Sequence, residues 1–287
     1  MYPPRRLTIC SRTISAIRKE KSKGRHMDAF FLAQWQAYLR YFDLPGTGPS
    51  CVYLAGLGGA ASAVYPRIVC EPGLALRRSL IVDWLGCGFS DRPEQFSYSI
   101  DDHAATVAAL LEHLRLKACT VIGHSMGGAV AIVLAAKWPD LVTRLVLAEA
   151  NLDAGGGMFS QSIAHQLEAD FIRHGYQELV QGLRTAAIGG DKSAALFAGV
   201  LPMTDPLALH RTAVSLVQGT QPSWREQLYR LSIPRAYLFG ANSLPDADAE
   251  RLPTRGIQVA VVPDAGHSMM IENPTGFASV LGTLLAK

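Results

Sequence analysis

The segment Val121-Ile122-Gly123-His124-Ser125-Met126-Gly127-Gly128 constrains this chain more than any other stretch. Before it, Cys119 to Ile122 is an apolar run of strand length. After it, Gly128 to Lys137 (GAVAIVLAAK) is rich in alanine and apolar residues at helical spacing. Ser125 therefore sits at a strand-to-helix bend. A bend that sharp strains the backbone at the serine and leaves almost no room for side chains two residues to either side. Gly123 and Gly127 occupy those positions. A serine presented in this way is a candidate nucleophile.

The rest of the chain has the alternation that such a bend needs. Short apolar runs at Ala37 to Phe42, Cys51 to Ala55, Ser79 to Asp83, Cys119 to Ile122, Arg144 to Ala148, Arg235 to Phe239 and Gln258 to Val262 are predicted strands. Helical runs lie between them. One starts at Ser99, with Asp102 at capping-box spacing, and continues to about Leu116; the last is capped by Asn273 with Pro274 at its first position. Alternation of this kind predicts an α/β fold with a mostly parallel sheet covered on both faces. From Asn151 to Leu231 the strand signals stop, and helical segments are broken by Gly155 to Gly157, Gly189, Gly190, Pro202, Pro206 and Pro222. That region reads as an insertion of residues 151–231 between two parts of a core, residues 27–150 and 232–287.

Charge divides the chain differently. Residues 1–26 carry eight of the 27 basic residues and one of the 24 acids, so the remainder holds 19 basic against 23 acidic residues, a net −4. A mildly acidic body argues against nucleic acid as a partner. The basic stretch lacks the apolar core of a secretory signal and reads as a disordered extension, or as sequence upstream of a true start at Met27. No apolar run reaches the roughly 18 residues of a membrane span. The five cysteines, Cys10, Cys51, Cys70, Cys87 and Cys119, are scattered without Cys-x-x-Cys pairs, which points to a reducing compartment and a cytoplasmic protein.

Four separated motifs give the chain a family likeness. Val52 to Gly59 (VYLAGLGG), Asp83 to Pro93 (DWLGCGFSDRP), Gly123 to Gly128 and Asp264 to Pro274 (DAGHSMMIENP) resemble, in order and spacing, four loops of α/β-hydrolase fold proteins. The resemblance covers the chain from about Tyr38 to its end. It implies a sheet of about eight strands, helices on both faces and residues 151–231 as a helical cap. Strands that run parallel bring ligands to their carboxyl ends, so Ser125 and His267 are expected to converge at one sheet edge. An imidazole in reach of Ser125 takes its proton during attack on a carbonyl, and His267 is the candidate base. The backbone N–H of Met126, at a helix start, is a candidate donor to the oxyanion. By resemblance the second donor is the N–H of Leu57.

The acid that should orient His267 is displaced from its usual place. In most of the family it follows the strand after the insertion, but Gly240-Ala241-Asn242 leads to Ser243 here. Glu149, at the end of Arg144 to Ala148, is the preferred acid, and Asp246 or Asp248 are the alternatives. The first arrangement resembles one branch of the haloalkane dehalogenases. Their nucleophile is an Asp followed by a Trp, whereas Ser125 and Met126 stand here, so acyl chemistry is expected instead of attack on saturated carbon.

The reading is a serine hydrolase of small-molecule carboxylic esters that needs no cofactor. No Walker loop occurs, Gly56 to Gly59 lacks the dinucleotide fingerprint, and His165 with Glu168 lacks further metal ligands. Met158, Phe159, Phe171, Phe197, Leu201, Met203 and Trp224 are candidates to line an acyl pocket. Two other readings stay open. A hydrolase of carbon-carbon bonds in ring-cleavage products shares the Ser-Met-Gly-Gly elbow and would show a basic pocket. A ligand-binding receptor or weakly catalytic relative would account for Ala55 and Ser243.

Overall fold

A computed structural model of the chain describes residues 26–286. The basic stretch ahead of His26 lies outside the described residues. Among those described, eight strands form one sheet in the order β1-β2-β4-β3-β5-β6-β7-β8. The strands are β1 (Asp28–Leu32), β2 (Ala37–Leu44), β3 (Thr47–Leu54), β4 (Arg77–Val82), β5 (Cys119–His124), β6 (Val142–Ala148), β7 (Arg235–Gly240) and β8 (Gln258–Val262). β1 and β2 pair antiparallel at one edge; from β4 to β8 every pairing is parallel. Seven of the strands coincide with the predicted runs. β1 was not foreseen, because DAFFL carries exposed positions and owes its strand form to pairing with β2.

Side-chain alternation along the parallel strands feeds two apolar layers. Val52, Leu54, Leu80, Val121, Leu145 and Leu147 face one side, and Tyr53, Ile81, Ile122, Val146 and Leu238 the other. The helix that follows the elbow, Met126–Lys137, is buried along nearly its whole length. It is covered in turn by the Ile100–His113 and Trp224–Arg230 helices, which is why its sequence is apolar all round and not amphipathic. Ser99 caps the Ile100–His113 helix by accepting from Asp102 N–H, but the Asp102 carboxylate turns to the Ser97 hydroxyl and does not close the box. Asn273 caps the Pro274–Leu285 helix as predicted. No helix among the described residues is long and apolar enough to cross a membrane.

Between β6 and β7 the chain forms the helices Met158–Ala164, Tyr176–Ile188, Lys192–Val200, Pro206–Gln218 and Trp224–Arg230. Several bonds tie this segment to the loops after β3 and β4. Thr204 donates to the Gly58 carbonyl at 3.3 Å, Asp205 N–H donates to Gly86 O, and Arg92 donates to Met203 O. Asp83, in the loop after β4, is fully buried and accepts from Ser62 N–H, the Ser62 hydroxyl and Phe89 N–H. This motif is therefore a fastening between loops.

His103 marks the buried seam between the two parts. It is 1% exposed, packed against Trp84, Phe96 and Tyr98, with Thr212 of the inserted segment 3.4 Å from Nε2 and no partner for Nδ1. Burial lowers its pKa to about 3 from the usual histidine range. Between about pH 3 and the ordinary value near 6.5, the unfolded chain binds a proton here that the folded chain does not. Stability is thus expected to rise with pH through that window, by at most about 1.4 kcal/mol per pH unit from this residue. Urea unfolding of His103→Gln between pH 5 and 7 should show a shallower slope than the parent chain, and equal slopes would contradict this.

Candidate active site

The parallel strands deliver their loops to one edge of the sheet, and the candidate residues lie on those loops. β3 leads to Leu57, β5 to Ser125, β6 to Glu149, β7 to Ser243 and β8 to His267. Ser125 adopts φ 51° and ψ −119°, a left-handed conformation that L-residues avoid. The flanking glycines are sterically required. A Cβ on Gly123 would lie 2.4 Å from the Gly127 carbonyl oxygen, and one on Gly127 2.5 Å from the carbonyl oxygens of Leu54 and Ala55. The elbow is thereby pressed against the end of β3.

Glu149 begins as one more residue of β6, its N–H donating to Leu238 O at 3.0 Å, and then turns off the sheet at φ 39°. Its carboxylate is 12% exposed and reaches past β7 to the loop after β8. His267 Nδ1–H donates to Glu149 Oε2 at 2.8 Å, and Gly240 N–H donates to Oε1 at 2.9 Å. Ser243, which occupies the position of the expected acid, lies beside the same carboxylate and favours its charged form. Burial pushes the Glu149 pKa up, but the bonds from His267 and Gly240, with Ser243 beside them, outweigh it and hold the group below its ordinary value.

The alternative acids are engaged elsewhere. Asp246 caps the Ala247–Arg251 helix by accepting from Asp248 N–H. Asp248 forms a two-bond pair with Arg225, at 2.8 Å for each bond, and Arg225 also binds Asp153. Desolvation opposes the charge on Arg225, and these carboxylates overcome it and raise its pKa.

The loop bearing His267 is held from three sides. Glu272 accepts from Gly266 N–H at 2.6 Å and from Ser268 N–H at 3.2 Å, gripping both neighbours of the histidine. Gly240 lies so close that a Cβ there would be 2.3 Å from the Gly266 carbonyl oxygen. His124 Nε2–H donates to the His267 carbonyl at 2.9 Å, with the two rings 4.8 Å apart. Because a carbonyl only accepts, Nε2 carries the proton; burial, reinforced by His267, lowers the His124 pKa to about 3. Glu272, Ser243 and His124 were not foreseen as neighbours that support the histidine. Their roles depend on which loops meet in space, and no local pattern encodes that.

Ser125 and His267 line one cavity of about 400 Å³, together with Leu57, His124 and Asn151. The Ser125 hydroxyl donates to Asn151 Oδ1 at a long 3.4 Å, and no hydrogen bond joins it to His267 in this resting geometry. Among the described residues, the backbone N–H groups of Leu57 and Met126 have no acceptor in the protein. Of the apolar candidates, Met158, Phe159 and Phe197 line the cavity, joined by Leu183 and Leu216. Phe171, Leu201 and Trp224 are core residues instead, and Met203 is not in the lining. Among the described residues, no cluster of three or more His, Cys, Asp or Glu side chains is grouped as a metal site requires.

Comparison with known proteins agrees with the fold. A family model described as alpha/beta hydrolase fold matches residues 52–237. A 2-(acetamidomethylene)succinate hydrolase of Mesorhizobium japonicum is 28% identical over 253 residues, covering 77% of this chain and 82% of that protein. An esterase of Mycobacterium tuberculosis is 27% identical over 272 residues, covering 84% of each. The crystal structure of an enol-lactonase from Burkholderia xenovorans LB400 superposes with a TM-score of 0.74 at 20% identity, covering 91% of this chain and 100% of that one. Against uncharacterized mycobacterial proteins, at 37% identity over 115 residues, the match spans 40% of this chain and only about a third of the relative's length (33%).

Asp248 and Glu149 make opposite predictions under substitution. Asp248→Asn weakens the pair with Arg225 and should lower stability by about 1–3 kcal/mol in urea unfolding, with hydrolytic turnover changed no more than a few-fold. A loss of turnover as deep as that of Glu149→Gln would favour Asp248 over Glu149 as the acid.

Proposed function

The chain belongs to the α/β-hydrolase fold family, and from that premise we propose that it hydrolyses carboxylic esters through an acyl-enzyme on Ser125. The observation that carries this reading is the 2.8 Å bond from His267 to a half-buried, ionised Glu149, beside a cavity that Ser125 and His267 share. A carboxylate at Nδ1 leaves Nε2 as the basic nitrogen and stabilises the imidazolium that forms when it takes a proton.

The steps follow from these groups. Ser125 Oγ leaves its long bond to Asn151, passes its proton to His267 Nε2 and adds to the ester carbonyl carbon. The oxygen of that carbonyl becomes an oxyanion, and the unpaired N–H groups of Leu57 and Met126 are its donors. Collapse breaks the carbon-oxygen bond to the alcohol, which leaves with the proton from His267. Water then adds to the acyl carbon while His267 takes its proton, the bond to Oγ breaks, and the proton returns to Ser125. Ester and water become acid and alcohol, and the protein is regenerated. No cofactor enters this sequence, the partner is a small-molecule ester, and the helices between β6 and β7 serve as the cap.

The alternatives receive less support. A carbon-carbon hydrolase of ring-cleavage products called for a basic pocket, and no Arg or Lys is among the cavity's lining residues. The Mesorhizobium relative is named for a succinate, a dicarboxylate, and that cavity has no cation to pair with one. A non-catalytic receptor was motivated by Ala55 and Ser243, and Ser243 stands beside the Glu149 carboxylate, which on this reading takes the acid's role.

Intact mass spectrometry after treatment with a fluorophosphonate should find one adduct, on Ser125, and none in Ser125→Ala. Glu149→Gln is expected to lower kcat for p-nitrophenyl butanoate by on the order of 10³–10⁴ while leaving the protein folded. An unlabelled Ser125 in the folded parent protein would favour the receptor.

A further inference from the structure

The cavity combines one exposed group, His267, with an apolar lining from the inserted helices, and the hydrolytic reading assigns a part of the substrate to each. His267 hands its proton to the departing oxygen, so the alcohol must lie on the His267 side of Ser125. The His267 side chain is 55% exposed, so this side opens to solvent. Four of the inserted helices line the cavity, with Met158 and Phe159 from the first and Leu183, Phe197 and Leu216 from the others. Leu216 is buried, Phe159, Leu183 and Phe197 are half-buried and Met158 is exposed, with the rings of Phe159 and Phe197 6.5 Å apart.

Polar groups in this region are already engaged. Ser160 donates to Gly157 O and accepts from Gly157 N–H, and His124 spends its one N–H on the His267 carbonyl. His124 is also kept neutral by burial, so it offers no charge. Arg, Lys, Asp and Glu are all missing from the cavity's lining residues. The side chains that remain open to an ester are Ser125, Asn151, His267 and Ser268, all of them uncharged or imidazole groups.

From this division, and resting on the ester-hydrolase reading above, we propose that the site selects esters of uncharged, apolar carboxylic acids. The acyl chain, of medium length or aryl-alkyl, lies under the four helices, and the alcohol is accepted with little discrimination. Each methylene drawn from water into this lining should raise kcat/KM by about four-fold until the space is filled. A carboxylate on the acyl arm would lose its water with no cation to meet it. The cost predicts at least about a hundred-fold loss relative to an uncharged acyl group of the same length.

The test compares p-nitrophenyl acetate, butanoate, hexanoate and octanoate, then p-nitrophenyl pentanoate against p-nitrophenyl hydrogen glutarate, then methyl, butyl and cyclohexyl hexanoate. The expected result is a steep rise along the first series, a hundred-fold or greater preference for pentanoate over the glutarate, and less than ten-fold variation across the third. Leu183→Arg puts a cation on the acyl side and should shift the glutarate-to-pentanoate ratio toward glutarate by ten-fold or more. A flat chain-length series, or glutarate cleaved as fast as pentanoate by the parent protein, overturns the proposal whatever the variant does. Fluorophosphonate labelling in the same preparation separates the two levels. Ser125 labelled with a flat series sinks the acyl selectivity alone, whereas Ser125 unlabelled sinks the hydrolytic reading beneath it.

Discussion

The hydrogen bond between His267 and Glu149 is the interaction on which the rest of this site depends, because it spans three strand ends. Glu149 leaves β6, passes the end of β7 and meets a histidine that follows β8. A carboxylate that is 12% exposed must find donors for both oxygens, or burial would neutralise it. Gly240 N–H meets Oε1 from the strand in between and His267 meets Oε2, so the end of β7 steadies a carboxylate that projects from β6.

Two residues of this site carry left-handed backbone. Ser125 and Glu149 both have positive φ, at 51° and 39°, and each directly follows a parallel strand. Such conformations cost about 1–3 kcal/mol each and persist only where surrounding structure dictates them. At Ser125 the dictating structure is the close packing of Gly123 and Gly127 on the end of β3. At Glu149 it is the backbone bond to Leu238 on one side and the carboxylate's bonds on the other. The same carboxylate thus orients the histidine and helps to hold the turn from which it projects.

Much of this was legible in the chain because it is local. The glycines around Ser125, the alternation of strands and helices, the Asn273-Pro274 cap and the position of His267 in its loop each depend on a few consecutive residues, and each appears where expected. The acid was legible only as a choice among Glu149, Asp246 and Asp248. Choosing among them requires knowing that Arg225, far along the chain, takes Asp248. Glu272 and His124 escaped as supports of the histidine loop for the same reason. Pocket residues fared in between: Phe159 and Phe197 were distinguishable as apolar, but nothing in helical spacing separates a residue facing a cavity from Phe171 or Trp224, which face other helices.

The histidine loop is also where the inserted helices and the sheet communicate. Glu272 grips the N–H groups on both sides of His267, and its Oε1 also accepts from the hydroxyl of Ser193, on the Lys192–Val200 helix, at 3.1 Å. Phe197 of that helix lines the cavity four residues further on. The carboxylate that holds the backbone on both sides of His267 is thus also the point at which the helix carrying Phe197 is fastened to the histidine loop.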